Sequence, residues 1–576
     1  MPRYLAADYL ATFLADHGVT RVYTLSGGTI MHLLDALART GAFEIVTVHH
    51  EQAAAFAVDA EGRLGRRPAV AIATSGPGAV NMLTGIASCY FDSVPALFIT
   101  GQVNRSEQRG DRPIRQLGFQ ETDIVAMARP VAKLAKRIER ADELPNALAQ
   151  AFGVAVEGRP GPALIDIPMD VSRESLDVDE QIVDAVTRRG RSDLERAVRQ
   201  VVDAIHQAER PMLLVGRGVL ASGSEELLQR FAEALDVPTV WSLLGLGAIP
   251  TAGRNAVGMI GTYGNRWANL VIGIADPLVV LGSRLDIRQT GADTTSFKGN
   301  RRIFHVDIES GEINNRLAGC VGICASVEEF LTVGLSMLNR LSRRRDVWHA
   351  EIAGLKRRWP DTEELTGIVG INPNCFMHAI SRTDLPMYIA LDVGQHQMWA
   401  AQSLELGAGQ RVVTSGGMGA MGYGLPAAIG AAFFSRKRVP VLCIAGDAGF
   451  QLNIQELETA RRNSLPIKIV VMNNRCHGMT RQFQQTFFAS RYTGTIDGYS
   501  TPDFAAVARA YGVPSRTIAT AVEIPDAVAD LWRDPTQLFL LEVRIDPMTN
   551  AFPKVAFGRP IWEMEPLAVP VAMEAT

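Results

Sequence analysis

Short apolar runs alternate with longer amphipathic segments from one end of the chain to the other, and this alternation constrains the fold more than any other feature. The runs are apolar at every position instead of alternating with polar residues, which is typical of parallel strands covered by helices on both faces. Examples are AVAIA at 69–73, LVVL at 278–281 and IKIVVM at 467–472. The sequence therefore predicts an α/β protein built from doubly wound parallel sheets.

Two interruptions divide the 576 residues into three such series. A stretch rich in proline and glycine at 158–177 ends the first series, and a charged stretch at 342–364 ends the second. Because domain boundaries fall in polar surface linkers, we predict domains at 1–175, 190–345 and 360–548, followed by a tail at 549–576. The arginines of the second boundary, Arg343, Arg344 and Arg345, are interpreted as part of a solvated linker.

Composition argues against several classes of function. The formal net charge is −4 and no long run of lysine and arginine occurs, so we expect no nucleic-acid partner. No uncharged apolar stretch reaches the roughly 20 residues of a membrane-spanning helix, so no membrane association is expected. Asp8 and Asp16 interrupt an N-terminal segment that does not resemble a signal peptide, and the six cysteines are scattered. We expect a protein of the reducing cytoplasm.

The segment GDAGF at 446–450 predicts a binding site. It follows the apolar run VPVLCIA and precedes a helix-like segment, and the next predicted strand ends in Asn473 and Asn474. In a parallel sheet, ligands bind at the edge formed by the carboxyl ends of the strands. Asp447 and Asn474 offer the hard oxygen ligands that Mg²⁺ prefers, and the small residues let backbone amides at a helix start approach a diphosphate.

This arrangement resembles the diphosphate-binding signature of thiamine-diphosphate enzymes. The resemblance implies that Asp447, the side-chain oxygen of Asn474 and the backbone carbonyl of Cys476 bind Mg²⁺. The usual pattern has glycine where this chain has Ala448, and a negative φ would accommodate the alanine. The cofactor-binding positions implied in this region are Gly446, Asp447, Ala448, Gly449, Asn474, His477, Gly478 and Met479.

A second set of motifs resembles the pyrimidine-binding domain of the same family. IVTVHHEQAAAFAVDAEGRL at 45–64 places Glu51 between a predicted strand and a helix, and TSGPGAVN follows at 74–81. The resemblance implies that Glu51 shares a proton with the pyrimidine ring of the cofactor and so activates it. It also implies that Glu51 meets the diphosphate-binding domain of another subunit, so we expect a homodimer or homotetramer. His49 and His50 are interpreted as packing residues.

Two further segments complete the implied cofactor site. In TSGGMGAMGYGLPAAIGA at 414–431, the resemblance implies that the backbone carbonyl of Gly419 accepts from the pyrimidine amino group and that Met421 lies beneath the bent cofactor. In DVGQHQMWAAQ at 392–402, it places Gln395 and His396 at positions that contact the diphosphate. For His396, the alternative is a satisfied histidine of the core.

Nearly the whole chain resembles acetolactate-synthase-type carboligases. IRQLGFQETDIV at 114–125 and PVAKLAK at 130–136 resemble their substrate-channel segments, which implies that Phe119, Gln120 and Lys133 line the substrate route. Four segments between 210 and 309 resemble their flavin-binding segments and imply FAD, with a remnant that binds no flavin as the alternative. The implied flavin positions are Gly216, Gly218, Gly261, Gly264, Arg284, Asp286, Arg288 and Asp307.

Two regions depart from the synthase pattern. Phe483 and Thr480 stand where a tryptophan and a valine are usual, and the tail FPKVAFGRPIWEMEP at 552–566 is more similar to carboligases of the yersiniose type, which act on keto-sugars. We therefore predict a thiamine-diphosphate-, Mg²⁺- and FAD-dependent enzyme that decarboxylates pyruvate and transfers the acetyl unit to a ketone. The acceptor is a bulky or sugar ketone or a second 2-keto acid. The alternatives are a standard acetolactate synthase and a pyruvate-oxidase-like flavoenzyme.

Overall fold

The computed structural model describes residues 3–177, 191–338, 344–382, 385 and 387–571, and it contains three six-stranded sheets with helices between the strands. The predicted α/β fold class is therefore confirmed. The first of two compact units comprises Met1–Thr187, Gly417–Val441 and Leu452–Ile467, and the second comprises Arg188–Gly416, Leu442–Gln451 and Lys468–Thr576. Among the described helices, none combines the length and the apolar composition needed to cross a membrane.

The first unit contains one of the six-stranded sheets, in the order β3-β2-β4-β5-β7-β6 with parallel pairing, while β1 and β8 form a separate antiparallel pair. The strands are β1 (Arg3–Leu5), β2 (Arg21–Leu25), β3 (Glu44–Thr47), β4 (Ala69–Ala73), β5 (Ala96–Gln102), β6 (Leu134–Arg137), β7 (Pro162–Pro168) and β8 (Ser175–Asp177). The helices are α1 (Ala6–Asp16), α2 (Met31–Thr40), α3 (Glu51–Gly65), α4 (Pro77–Asn81), α5 (Leu83–Phe91), α6 (Ile124–Ala128), α7 (Leu144–Val156) and α8 (Met169–Ser172). Every residue of β4, β5 and β7 is buried, as expected of central strands covered on both faces.

The second unit contains a central sheet in the order β11-β10-β9-β12-β13-β14, with parallel pairing throughout. Its strands are β9 (Met212–Val215), β10 (Thr239–Trp241), β11 (Ala256–Met259), β12 (Leu278–Leu281), β13 (Ile303–Asp307) and β14 (Val321–Cys324). The helices are α9 (Arg191–Gln207), α10 (Arg217–Ser222), α11 (Glu225–Leu235), α12 (Arg266–Ile274), α13 (Ile287–Thr290), α14 (Thr294–Lys298) and α15 (Val327–Ser336). The strand order reverses between β9 and β12, where doubly wound sheets bind dinucleotides.

The third sheet has the order β16-β15-β17-β18-β20-β19. Its strands are β15 (Tyr388–Leu391), β16 (Arg411–Thr414), β17 (Val441–Gly446), β18 (Ile467–Asn473), β19 (Ser515–Ile518) and β20 (Phe539–Arg544), and the tail adds β21 (Lys554–Val555) and β22 (Met564–Glu565). The helices are α16 (Asp346–Arg358), α17 (Pro373–Ser381), α18 (Gln395–Ser403), α19 (Gly424–Phe434), α20 (Asp447–Leu452), α21 (Glu456–Arg462), α22 (Gly478–Phe487), α23 (Phe504–Ala510) and α24 (Ile524–Trp532). When the strands of each sheet are numbered in chain order, this sheet and the six-stranded sheet of the first unit have the same spatial order of strands.

Helices α19 and α21 follow β16 and β17 in the chain but belong to the first unit. There α19 packs on α3 with the two backbones in close approach. A Cβ atom on Gly430 would lie 2.2 Å from the carbonyl oxygen of Ala57, so only glycine fits at this crossing. The compact units therefore do not coincide with the three predicted domain ranges, although each six-stranded sheet lies inside one of those ranges.

The prediction that residues 343–345 form a solvated linker is wrong for Arg345. Arg345 is buried, and its guanidinium donates to the backbone carbonyls of Leu235 and Ile205. A buried arginine needs such acceptors to replace its lost hydration, and these two carbonyls supply them. Arg344 is largely exposed, as expected of a linker, and Arg343 lies outside the described residues.

Candidate active site

Asp447 lies at the junction of a strand and a helix. β17 ends at Gly446 and α20 begins at Asp447, so the carboxylate stands at the carboxyl edge of the third sheet. Its Oδ1 accepts from the backbone N–H of Ala448 at 2.7 Å, and its Oδ2 is buried without a hydrogen-bond partner in the described part of the chain. Ala448 lies within α20 and does not have a positive φ, so the departure from glycine is accommodated as predicted.

Burial dominates the electrostatics of this carboxylate. It raises the pKa of Asp447 to about 7, while the backbone N–H groups of Ala448, Arg475 and Cys476 and the hydroxyl of Tyr499 act in the opposite direction. Tyr499 lies beside Asp447, and burial together with the nearby carboxylate raises the pKa of the Tyr499 hydroxyl. A buried carboxylate with one unsatisfied oxygen is a group that a bound cation would stabilise.

Asn474 follows β18, which neighbours β17 in the sheet. Its Nδ2 donates to Oε1 of Gln395 at 3.0 Å, and its Oδ1 accepts from the backbone N–H of Cys476 at 3.2 Å. Gln395 in turn donates through Nε2 to the side chain of Gln482 and to the carbonyl of Thr549. Both ends of the Gln395 amide are thus used within the protein, so a direct contact with the diphosphate would have to replace one of these bonds.

His396 supplies a second buried polar atom at this edge. Its Nε2 has no hydrogen-bond partner within the described residues, and burial lowers the pKa of the ring to about 3, which keeps it neutral. A Cβ atom on Gly446 would lie 2.8 Å from Nδ1 of His396, so the glycine makes room for the ring. A satisfied core histidine would have both nitrogens bonded, so this arrangement favours the predicted ligand contact.

Close packing explains why two more of the predicted cofactor-binding positions, Gly449 and Gly478, are glycine. A Cβ atom on Gly449 would lie 2.7 Å from a carboxylate oxygen of Asp392. A Cβ atom on Gly478 would lie 2.0 Å from Oε1 of Gln395 and 2.6 Å from Nδ2 of Asn474. Real side chains do not tolerate such distances, so these glycines allow α20 and the start of α22 to approach the polar groups of the edge.

The donors at this edge fit a small, hard cation. Asp447 offers a buried, unsatisfied carboxylate oxygen, and Asn474 and Cys476 can offer an amide and a carbonyl oxygen. Within the described ranges, no group of three or more His, Cys, Asp and Glu side chains is gathered as a metal site. Mg²⁺ does not need such a group, because it is commonly held by one or two carboxylates together with substrate phosphates and water.

Glu51 begins α3 at the carboxyl edge of the first unit's sheet. The side chain is buried, and the amide of Asn81 donates to its Oε2 at 2.9 Å. His50 caps the helix, because its Nδ1 accepts from the backbone N–H of Gln52 at 3.1 Å, and His49 is exposed. The interpretation of the two histidines as packing residues is therefore wrong, since neither fills the core.

The glycine-rich segment after β16 enters the first unit at Gly417. Gly419 has a φ of 66° with open space where a Cβ would stand, so this position needs glycine for its backbone conformation. Met421 is half-buried, and the hydroxyl of Tyr423 donates to Asp59 of α3 at 2.6 Å. Gly419, Met421 and Glu51 thus belong to one unit, whereas the residues of the Asp447 edge belong to the other.

Comparisons with known proteins identify the family. Family models of the thiamine pyrophosphate enzymes match the N-terminal binding domain at 5–127, the central domain at 198–333 and the C-terminal binding domain at 392–543. The acetolactate synthase isozyme 1 large subunit of Escherichia coli (strain K12) is 34% identical over 98% of this chain and 98% of its own length. The chain belongs to the family of acetolactate synthase large subunits. The acetolactate synthase isozyme 2 large subunit of the same organism is 35% identical over 97% of this chain and 98% of its own length. The acetolactate synthase large subunit of Porphyra purpurea is 34% identical over 97% of this chain and 94% of its own length.

The predicted substrate-channel residues of this acetolactate-synthase-type chain lie in two places. Phe119 is 85% exposed. Gln120 has a φ of 65° and packs against Gly76, because a Cβ atom added to Gly76 would lie 2.8 Å from the Cβ atom of Gln120. Lys133 lies before the amino end of β6, and its ammonium donates to two backbone carbonyls. Glu51 lies at the carboxyl edge of the same parallel sheet, so the structure does not bring Lys133 to that edge.

The predicted flavin positions gather at the carboxyl edge of the central sheet. Gly216 and Gly218 follow β9, Gly261 and Gly264 follow β11, Arg284, Asp286 and Arg288 follow β12, and Asp307 ends β13. The first and third groups flank the switch point between β9 and β12, a position that fits a dinucleotide. The glycines are also required by the protein itself, because added Cβ atoms would lie 2.4 to 2.7 Å from neighbouring backbone atoms.

The site residues predicted from the sequence do not include the partners that hold the catalytic candidates. Asn81 is the last residue of the motif TSGPGAVN and of helix α4, so a polar side chain at the end of a motif already assigned to the site was a signal for this contact. Tyr499 carries no comparable signal, yet its ring lies 4.6 Å from that of His477 beside Asp447. Met479 is half-buried and packs against the apolar core of the second unit.

Proposed function

We propose that this chain is an acetolactate synthase that decarboxylates pyruvate and transfers the acetyl unit to a second 2-keto acid. The observation that carries the proposal is the similarity to acetolactate synthase large subunits over nearly the full length of both chains. These relatives favour the standard synthase, the alternative prediction from the sequence, over an enzyme with a sugar-ketone acceptor. Glu51, Asp447 and Asn474 are present at the ligand edges of their sheets, as the chemistry requires.

The cofactor and the protein divide the chemistry between them. When bound, thiamine diphosphate accepts the electron pair that remains when pyruvate loses carbon dioxide. Asp447, Asn474 and the carbonyl of Cys476 would hold Mg²⁺, which binds the diphosphate, and the neutral His396 would offer its free nitrogen to the same group. Glu51, held by an amide donor, would share a proton with the pyrimidine ring. Asp447→Ala should therefore abolish Mg²⁺-dependent cofactor binding while both units remain folded.

FAD is proposed at the switch point of the central sheet. The support is the placement of Gly216 and Arg284 after the two strands that flank this point. A flavin there would be structural in an acetolactate synthase, because decarboxylation and ligation bring no net redox change. Flavin absorbance of the purified protein, released by acid, tests this part of the proposal separately from activity.

A bulkier acceptor is the second candidate function, and one observation favours it. Phe483 on α22 is 40% exposed, and its ring lies 4.9 Å from that of Phe487 and 5.7 Å from that of Phe488. Phe557 of the tail contacts Phe487 at 5.9 Å between ring centroids. α22 begins at Gly478, four residues after Asn474, and a tryptophan at position 483 would add bulk to this partly exposed aromatic surface.

The remaining parts of the proposal concern assembly and compartment. By the family resemblance Glu51 serves the diphosphate domain of another subunit, so the proposed active form is a homodimer or a larger homo-oligomer. The six cysteines are free thiols, which suits the reducing cytoplasm. Size-exclusion chromatography with light scattering tests the first point.

The experiment that tests the function is mass spectrometry of the products formed from pyruvate alone and from pyruvate with candidate ketones. Acetolactate from pyruvate alone supports the synthase. A product that forms only with an added ketone supports the second candidate. Oxygen or quinone consumption coupled to pyruvate would instead indicate the pyruvate-oxidase-like flavoenzyme.

A further inference from the structure

Glu456 is a buried carboxylate that the proposed chemistry does not use. It begins α21 in the first unit and has no exposed surface. Its Oε1 accepts from the backbone N–H of His49 at 2.9 Å, its Oε2 accepts from the hydroxyl of Thr459 at 2.6 Å, and the backbone N–H of His50 also faces it. Burial raises the pKa of Glu456, and the hydrogen bonds from Thr459, His49 and His50 act in the opposite direction, so these donors favour the charged form.

The backbone N–H groups of His49 and His50 belong to the loop that immediately precedes Glu51. β3 ends at Thr47 and α3 begins at Glu51, so residues 48–50 alone connect them. The guanidinium of Arg462, at the end of α21, donates to the carbonyl of Thr47. On the other side of Glu51, the amide of Asn453 donates to the side chain of Gln52 at 3.2 Å. The segment 453–462 therefore contacts the chain before and after Glu51.

The same segment reaches the glycine-rich segment of the cofactor site. Asn453 also donates to the carbonyl of Gly422 at 2.9 Å, three residues after Gly419. Through Asn453 and Glu456, which are both buried, this segment contacts the chain on either side of Glu51 and the carbonyl of Gly422. The position of such groups matters, because a displacement of about 1 Å can cost a reaction roughly a hundredfold in rate.

We propose that Glu456 is a positioning residue, which fixes the loop 48–50 through the N–H groups of His49 and His50 and so aims Glu51 at the pyrimidine ring. This inference rests on the proposed function, since it takes Glu51 as the activating carboxylate. A residue with a merely structural role would change the stability of the unit without changing the reactivity of cofactor that is already bound.

The test compares Glu456→Gln and Glu456→Ala with Glu458→Gln. Glutamine keeps the shape of Glu456 but loses the charge, and hydrogen bonds to a charged acceptor are roughly twice as strong as neutral ones. Glu458 lies on the same helix, pairs with Arg461 at 2.7 Å and is partly exposed, so it is a matched control for the loss of one carboxylate from α21. Two readouts are used: amide hydrogen exchange of residues 48–50 in the cofactor-free protein, and deuterium exchange of the thiazolium proton in bound thiamine diphosphate.

We expect both Glu456 variants to speed amide exchange at His49 and His50. We also expect them to slow thiazolium exchange by about 10- to 100-fold, with unchanged affinity for thiamine diphosphate and with Glu458→Gln at the level of the unmodified protein. If thiazolium exchange per bound cofactor is unchanged in both Glu456 variants, the proposal is wrong. If Glu456→Ala does not fold, Thr459→Val replaces it, because this change removes the hydroxyl that holds Oε2 and should slow thiazolium exchange in the same direction.

The outcome for the unmodified protein separates this inference from the proposed function. Thiazolium exchange needs neither pyruvate nor an acceptor. If the unmodified protein does not accelerate it, the proposed function fails. If the unmodified protein accelerates it and the Glu456 variants do so equally, only the positioning role fails.

Discussion

The side-chain amide of Asn474 donates to Gln395 across 3.0 Å, and this bond fixes which way the amide faces. With Nδ2 directed at α18, the oxygen faces the backbone of Cys476, whose N–H it accepts at 3.2 Å. The oxygen is therefore presented on the side where the metal is proposed. Gln395 would thus orient a proposed metal ligand, a role that the sequence resemblance did not assign to it.

Loss of that orienting bond should weaken the metal site. We expect Gln395→Ala to reduce the affinity for Mg²⁺ by about 10- to 100-fold, because removing the hydrogen-bond partner of a metal ligand typically has this cost. The measurement is Mg²⁺-dependent binding of thiamine diphosphate by calorimetry. Gln397→Ala is the matched control, since Gln397 is buried on the same helix and donates to the hydroxyl of Thr414 at 2.7 Å. Equal losses in the two variants would contradict the orienting role.

Metal binding should depend on pH through Asp447. In the metal-free protein, burial raises the pKa of this carboxyl group to about 7, so a proton and Mg²⁺ compete for it at neutral pH. We expect the apparent Mg²⁺ affinity to be about tenfold weaker at pH 6 than at pH 8. An affinity that does not change between these pH values would contradict the competition of a proton with Mg²⁺ at Asp447.

The same pKa shift has a consequence for stability. The folded metal-free protein holds a proton on Asp447 that the unfolded chain releases between about pH 4 and pH 7, so this group makes the free energy of unfolding fall as pH rises across that window. Saturating Mg²⁺ with thiamine diphosphate should offset this fall at pH 7. Thermal unfolding at pH 5.5 and 7, with and without both ligands, measures the effect, and Asp447→Asn should remove it.

Glu51 should control activation and not binding. Glu51→Gln keeps the contact with Asn81 possible but cannot share a proton with the pyrimidine ring in the same way. A positioned acid–base group is worth roughly 100- to 10,000-fold, so pyruvate decarboxylation should fall by that order while thiamine diphosphate still binds. Near-normal turnover of Glu51→Gln, with the cofactor bound, would exclude the activating role.

Phe483 should influence the choice of acceptor. Phe483→Trp adds bulk to an aromatic surface that is partly open, so it should lower ligation to large ketones relative to acetolactate formation. One altered apolar contact changes discrimination by about 1–3 kcal/mol, which is roughly 10- to 200-fold. Carbon dioxide release is the internal control, because decarboxylation precedes entry of the acceptor. An unchanged product ratio would show that Phe483 does not shape the acceptor site.

The strands, and the site residues that come directly after them, could be predicted from the sequence. The apolar runs predict the strands, and Asp447 and Asn474 come directly after two of them, so their shared edge follows from parallel pairing. The mild departure at Ala448 could also be judged, since only the sign of φ mattered.

The long-range contacts could not be predicted in this way. Glu456 and His49 are 407 residues apart in sequence, and nothing local marks either as a partner of the other. The assignment of 417–441 and 452–467 to the first unit, and the burial of Arg345, likewise depend on packing between distant segments. Apolar periodicity describes one element at a time, so it carries no information about such pairs.

The proposed reaction joins two molecules of pyruvate with loss of one carbon dioxide. The most direct test is the ratio of carbon dioxide released to acetolactate formed, measured with pyruvate, thiamine diphosphate and Mg²⁺ as oxygen is monitored. We predict a ratio of one, no oxygen consumption, and loss of both products in Asp447→Ala. Carbon dioxide release without acetolactate, or with matching oxygen uptake, would contradict it.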